Sequence, residues 1–165
     1  MNKMKKKIVS TGDFTLAVAE GNAFFDVACW CEHKNLDLDM VSPYLFPFAV
    51  NMSFAIETYM KAIMIYYSEK NEFAEGHDLE MLFGELPEHV KEHIDKAFDE
   101  RKVIHGLGET LRRNKHTFQD WRYGFQNTGR DLEIHSSDIG RLANCLKNYC
   151  NSLVEEIEKG TNSDL

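Results

Sequence analysis

The chain has 165 residues, of which 43% are hydrophobic and 28% charged, the composition of one soluble globular domain with a single core. Its formal net charge of -8 at pH 7 excludes a protein that coats nucleic acid through bulk positive charge, so any polyanion binding has to be local. No apolar run approaches the roughly 20 residues that span a bilayer, and the basic start lacks the apolar core of a signal peptide. The sequence therefore predicts a soluble, cytoplasmic protein without a membrane segment.

The first two helices are predicted from apolar spacing. The first covers residues 14 to about 33 at steps of three and four, interrupted only by Gly21. Ser42 and Pro43 give the N-cap and first-turn signals of the second, which is expected to run to about Glu69. Apolar residues cover much of its circumference, which is typical of the central helix of a bundle.

The segment GHDLEMLFGELP predicts a short apolar helix. Gly76 breaks the preceding element, His77 and Asp78 are expected to cap the short helix, and Pro87 ends it. The following helix is predicted to lie on the surface, because its apolar stripe is narrow and consists of Val90, Ile94, Ala97 and Phe98.

A fourth helix is predicted over the stretch ETLRRNKHTFQDWRYGFQ, residues 109–126, where Leu111, Phe118 and Phe125 recur every seven residues. A fifth helix is predicted from Ser136, with helical apolar spacing until a glycine ends it at position 160.

No strand signal is found, so the sequence predicts an all-α bundle of about five helices. One domain is expected, with a core at about residues 14–159 and a flexible basic N-terminal tip and C-terminal tail.

The four cysteines are expected to be reduced thiols in the absence of an export signal. Their spacings, C-x-C and C-x4-C, do not match a usual zinc site, so no metal or other cofactor is expected. Two of them are predicted to lie on or beside the buried stripe of the last helix, where cysteine behaves as a small apolar residue. The four are Cys29, Cys31, Cys145 and Cys150.

Positive charge is concentrated in the predicted fourth helix. On a helical wheel Arg112, His116, Gln119 and Tyr123 share one stripe at steps of four, three and four. Asp120 follows His116 by four residues and is expected to accept a hydrogen bond from the imidazole, which fixes its tautomer. A histidine-aspartate pair beside arginines suits acid-base chemistry on a phosphate. A solvated face, or one paired with acids on a neighbouring element, explains the same charges.

Three segments resemble bacterial members of the HEPN superfamily: NMSFAIETYMKAIMIYY, GHDLEMLFGELP and HTFQDWRYGF. The family pattern is E-x2-hydrophobic-K-A on a helix, a G-H-D/N-L-x2-L-F-x2-L-P turn and a later F-x2-W-R-Y, here at residues 57–62, 76–87 and 118–123. The resemblance extends over about residues 44–157. HEPN domains are small helical bundles that generally dimerise. Many are metal-independent ribonucleases of toxin-antitoxin, CRISPR-associated and antiphage systems, and others are non-catalytic partners, often of nucleotidyltransferases.

The active signature of the family is an arginine, often followed by a polar residue, and then a histidine after an interval of four to six residues. The resemblance makes Arg112 and His116 the catalytic candidates, although only three residues separate them here. His116 would transfer protons at the ribose 2'-hydroxyl or the leaving 5'-oxygen, and an arginine would stabilise the charge on phosphorus. The supporting residues are Arg113, Asn114, Asp120, Arg122 and Tyr123.

Two functions stay open at this point. One is a metal-independent endoribonuclease of a toxin-antitoxin or antiphage system, acting as a homodimer whose second copy completes the site. The other is a non-catalytic module that binds RNA or a nucleotide, or docks a partner protein such as an antitoxin or a nucleotidyltransferase. Glu57 and Lys61, four residues apart, predict an ordinary helix salt bridge that fits either function.

Overall fold

The computed structural model describes residues 9–35, 43–98, 100–122 and 134–162. Helices dominate these ranges, which confirms the predicted all-α bundle. Two three-residue strands pair antiparallel as well, with Val9 opposite Ala74, so the expectation of no strand is wrong. Strands this short carry no readable alternation. In chain order the elements are β1 (Val9–Thr11), α1 (Phe14–Asn35), α2 (Leu45–Tyr67), β2 (Glu72–Ala74), α3 (Leu79–Gly84), α4 (Glu88–Ala97), a 3₁₀ turn (Glu100–Lys102), α5 (Leu107–Asn114), α6 (Thr117–Arg122) and α7 (Ser136–Asn162).

Helix α2 is the centre of the bundle, as its apolar circumference predicts. It packs against α1, α3, α6 and α7, and its middle turns are almost completely buried. It ends at Tyr67, two residues earlier than expected, because Ser68 adopts extended backbone geometry. The Ser68 hydroxyl then accepts the N–H groups of Lys70 and Glu72, and Asn71 takes the left-handed φ of 55° that turns the chain into β2. The predicted cap Ser42 lies outside the described residues.

Gly21 lets α1 approach α2 closely. A Cβ atom at this position would lie 2.7 Å from Cε1 of Tyr59, whose side chain is fully buried. Tyr59 is fixed further by a 2.8 Å hydrogen bond from its hydroxyl to Asn22 Oδ1. The glycine that interrupts the apolar pattern of α1 therefore serves helix packing.

Substitution of Gly21 with alanine is expected to lower the free energy of unfolding by about 1–3 kcal/mol, the usual cost of overpacking a core. Gly140 is the matched control, because a Cβ there meets nothing within 4 Å and it also lies in a helix. Gly140→Ala is expected to raise the free energy of unfolding by about 0.4–1 kcal/mol. Urea denaturation measures both values, and a shift of the same sign in the two variants would contradict the packing role.

The short helix α3 begins after Asp78, as the sequence predicts, but it ends at Gly84, three residues before the expected stop at Pro87. Asp78 Oδ1 accepts the N–H of Met81 at 3.0 Å, and Gly76 has the positive φ of 121° that suits glycine. His77, expected to share the capping, instead turns its ring toward α2.

The predicted fourth helix is two helices, α5 and α6, so the single helical face over residues 109–126 is wrong. The buried Asn114 causes the break, because its side chain donates to Thr110 O at 2.8 Å and accepts the Thr117 hydroxyl at 3.2 Å. The carbonyl of Lys115 accepts the N–H of Leu79 at 3.2 Å. In a continuous helix these backbone groups would bond to the N–H and C=O groups of neighbouring turns, whereas here side chains and the backbone of Leu79 take their place.

Helix α7 starts at Ser136 as predicted and continues past Gly160 to Asn162, two residues beyond the expected end. The four cysteines, all within the described ranges, are free thiols. Cys145 and Cys150 are buried, as their place on the apolar stripe predicts, and burial raises the pKa of the Cys150 thiol. None of the helices in the described part of the chain has the length and apolar character that a membrane crossing requires.

Candidate functional site

The basic residues of α5 are paired with acids. Arg112 Nη2 contacts Glu109 Oε2, and Arg113 Nη1 lies 3.6 Å from the other oxygen of the same carboxylate. The hydrogen bond from Arg112 lowers the pKa of Glu109. One half-buried carboxylate therefore pairs with both arginines.

His116 lies in the turn between α5 and α6, so it does not share a helical face with Arg112. The carboxylate beside its ring is that of Asp78, whose Oδ2 is 4.0 Å from Nε2, and not that of the predicted Asp120. Asp120 contacts His116 through the backbone, where its N–H donates to the His116 carbonyl at 2.9 Å. Lys115 Nζ is likewise 4.0 Å from Glu80 Oε2. These basic residues of the face thus lie beside acidic side chains, as expected if the positive charges are paired with acids on the same or a neighbouring element.

The remaining supporting residues have different environments. Asn114 is buried and ends α5, so it does not belong to a surface site. The Arg122 guanidinium lies 5.5 Å above the ring of Phe118, a cation–π contact at the end of α6. Tyr123 lies outside the described residues.

A buried carboxylate brings together the three segments that carry the family resemblance. Glu57 is 5% exposed, and its Oε1 is 2.6 Å from Lys61 Nζ, which confirms the predicted helix salt bridge. His77 from the loop before α3 adds a third member, with Nδ1 2.9 Å from Oε2. The His77 ring in turn packs on Phe118 of α6 at 5.1 Å. We call Glu57, Lys61 and His77 the Glu57 cluster.

The structure contains a second carboxylate-imidazole pair that sequence reasoning missed. Asp138, in the first turn of α7, is 1% exposed, and its Oδ2 is 2.7 Å from His105 Nδ1. Its Oδ1 accepts the backbone N–H of Ile104 at 2.7 Å and the hydroxyl of Ser137 at 3.1 Å. Three donors from two separate elements thus satisfy one buried carboxylate.

These bonds keep Asp138 ionised. Burial acts to raise the pKa of Asp138, but the hydrogen bonds from Ile104, His105 and Ser137 outweigh it and hold the pKa below its usual value of 3.8. An ionised carboxylate accepts hydrogen bonds only, so the proton of this bond is on His105 Nδ1; in the neutral imidazole the lone pair is then on Nε2. The side chain of His105 is 20% exposed, which gives the ring limited access to solvent.

His135 lies beside this pair, with its ring centroid 4.8 Å from that of His105 and a 51° angle between the rings. The chain holds it there because the His135 carbonyl accepts the N–H groups of Asp138 and Ile139 at the start of α7. We call Asp138, His105 and His135 the His105 site. It combines an oriented imidazole with a second, half-buried imidazole.

The sequence does carry a signal for the His105 site. Arg130 is followed by the polar Asp131, and four residues separate Arg130 from His135. This interval fits the active HEPN signature, whereas the interval between Arg112 and His116 is one residue short. Arg130 and Asp131 lie outside the described residues.

The lowered pKa of Asp138 predicts an acid-dependent loss of stability. The unfolded chain takes up a proton near the usual value of 3.8, whereas the folded carboxyl does so at lower pH. The stabilisation is therefore complete above the unfolded value and lost as the pH falls through the folded one. Urea denaturation of the wild type and Asp138→Asn between about pH 6 and pH 3 is expected to show a flatter pH dependence in the variant. Equal slopes would contradict the assignment.

Among the described residues no group of three or more histidine, cysteine, aspartate or glutamate side chains is arranged to hold a metal ion. Comparisons of the chain with protein-family models, with curated proteins and with solved structures find no match.

Proposed function

We propose that the protein is a metal-independent endoribonuclease whose proton-transfer groups are His105 and His135. The observation that carries this proposal is the His105 site, where the buried Asp138 fixes the tautomer of one imidazole 4.8 Å from a second. The HEPN resemblance and the interval from Arg130 to His135 support the same activity.

The chemistry needs two proton transfers, and the two histidines divide them. His105 Nε2 takes the proton of the ribose 2'-hydroxyl as the 2'-oxygen forms its bond to phosphorus. Asp138 stabilises the imidazolium that results. His135, in its protonated form, gives a proton to the 5'-oxygen as the bond from phosphorus to that oxygen breaks. The products are a 2',3'-cyclic phosphate and a free 5'-hydroxyl.

The transition state carries extra negative charge on the phosphoryl oxygens, and a nearby guanidinium stabilises it. The family signature gives this role to the arginine before the histidine, which is Arg130 in this chain. Arg112 and His116, the catalytic candidates of the sequence, remain the competing assignment on the α5–α6 face.

A non-catalytic binding module is the second candidate function. The pairing of cations with acids on the α5–α6 face favours this function for that surface. Arg112 and Arg113 both contact Glu109, so phosphate would have to displace an existing carboxylate partner. A bound protein such as an antitoxin or nucleotidyltransferase can instead supply its own charged groups, so that the arginines and the carboxylate of this face form new ion pairs across the interface.

The proposal includes a cytoplasmic homodimer in a toxin-antitoxin or antiphage setting. Phe118 and Trp121 of α6 are buried, so they do not supply the apolar surface of such a dimer. Among the described residues α1 exposes more apolar surface than α6, through Val27 and Trp30. Light scattering at micromolar concentration is expected to give twice the chain mass of 19.1 kDa. A Trp30→Ser variant that dimerises as well as the wild type would exclude α1 as the interface.

Cleavage of a mixed-sequence, 5'-labelled RNA by EDTA-treated protein tests the activity. We expect fragments that end in a 2',3'-cyclic phosphate, which acid treatment followed by phosphatase distinguishes from other ends. Intact RNA after long incubation with excess protein, under conditions where a protein partner is captured, would favour the binding module.

A further inference from the structure

A groove of about 430 Å³ lies between α1 and α2, and both strands of the small sheet contribute to its lining. Its volume falls within the range of about 300–1,000 Å³ that is usual for ligand sites. Glu57 and Lys61 of the Glu57 cluster line part of it. From the groove's aromatic and polar lining we infer that it binds an unpaired guanine base.

The aromatic residues supply a surface for a planar ligand. Phe24 and Phe54 stack on each other at 5.1 Å and 18°, and both are only half-buried. Phe73 of β2 lines the groove from another element, with Lys61 Nζ 5.5 Å from its ring centroid. Unpaired bases stack on such phenylalanine side chains in proteins that bind single-stranded RNA.

The charged residues determine which part of a nucleotide fits. Asp13 and Glu20 are exposed carboxylates in the lining, and Asp13 caps α1 by accepting the N–H of Leu16 at 2.7 Å. Two negative charges disfavour a phosphate in the groove, because like charges repel at this range. They favour a ligand edge that is rich in N–H donors.

Guanine matches this combination of groups. Its N1–H and 2-amino group donate side by side to one carboxylate, the role available to Glu20, while O6 accepts from an ammonium. The Lys61 ammonium has three N–H donors, and its contact with Glu57 engages one of them in the described structure. Uracil and cytosine lack two adjacent N–H donors beside a carbonyl oxygen, and adenine has neither an N1–H donor nor a carbonyl oxygen.

The role of the groove as a subsite for substrate RNA rests on the proposed ribonuclease function, but binding of the base can be measured without cleavage. Isothermal titration with guanosine, adenosine, cytidine and uridine is expected to show guanosine as the tightest by about tenfold, since a bidentate base contact discriminates at least that strongly. Guanosine 5'-monophosphate is expected to bind more weakly than guanosine.

Glu20→Gln is the decisive variant, because the residue is exposed and its substitution leaves the core intact. We expect about a tenfold loss of guanosine affinity, the cost of one specific base contact. Glu32→Gln, on the same helix but outside the groove, is the matched control and should bind guanosine like the wild type.

Equal affinity for the four nucleosides, or equal effects of Glu20→Gln and Glu32→Gln, would overturn the assignment of the groove. RNA cleavage without guanosine binding would also overturn it while leaving the ribonuclease proposal in place. Guanosine binding that depends on Glu20 in a protein that cuts no RNA would support the groove and overturn the ribonuclease.

Discussion

Replacement of His105 or of His135 with glutamine is expected to slow RNA cleavage by about 10²–10⁴-fold, the usual contribution of one proton-transfer group. Each substitution removes one of two transfers that the other histidine cannot perform in the same step. Single-turnover cleavage of a labelled RNA at saturating protein isolates this effect from binding. For His105→Gln, RNA affinity should change little, since a neutral imidazole contributes little to the attraction of phosphate. His135→Gln removes a protonated imidazole, so a modest loss of RNA affinity is expected beside the larger loss of rate.

Two further histidines make this experiment decisive between the competing sites. His116→Gln tests the catalytic position that the sequence predicted, and His89→Gln is a control on the exposed surface of α4. If His116→Gln abolishes cleavage while the His105 and His135 variants remain active, the α5–α6 face is the active site. Circular dichroism of each variant must first show the wild-type helical signal, because Asp138 loses a hydrogen-bond donor when His105 is replaced.

Apolar periodicity was sufficient to predict the helices that build the core. It identified α2 as the central helix and placed the start of α7 at Ser136. It failed where contacts distant in sequence decide the backbone. The break between α5 and α6 depends on the bond from Leu79 to the Lys115 carbonyl and on the side-chain bonds of Asn114. A helical wheel contains no information about such partners.

The candidate sites show the same limit. Glu57 and His77 are 20 residues apart, and His105 and Asp138 are 33 apart, so no local pattern shows that either pair meets. The resemblance to the HEPN superfamily directed the sequence prediction to Arg112 and His116, although the interval from Arg130 to His135 is closer to the expected one. The concentration of positive charge around Arg112 predicted a catalytic face there, but in the structure Arg112 and Lys115 lie beside the carboxylates of Glu109 and Glu80.

Glu57→Ala is expected to lower the free energy of unfolding by about 3 kcal/mol, at the lower end of the cost of breaking a buried ion pair. The carboxylate is 5% exposed and accepts from Lys61 at 2.6 Å and from His77 at 2.9 Å. Its removal leaves the Lys61 ammonium without this partner at a position where the side chain is 18% exposed. Partial access to the groove keeps the cost below that of a completely buried charge.

The chain offers a matched control, because Glu155 and Lys159 form a pair with the same four-residue spacing on α7 and both are mostly exposed. Glu155→Ala is expected to cost less than about 0.5 kcal/mol, since water replaces the lost partner. The double variant Glu57→Leu, Lys61→Met removes both charges of the pair together and should be more stable than Glu57→Ala alone. Urea denaturation at pH 7 measures the three variants. Similar losses of unfolding free energy for Glu57→Ala and Glu155→Ala would show that burial does not strengthen the Glu57 pair. A double variant less stable than Glu57→Ala would show that the unpaired Lys61 ammonium is not the source of the destabilisation.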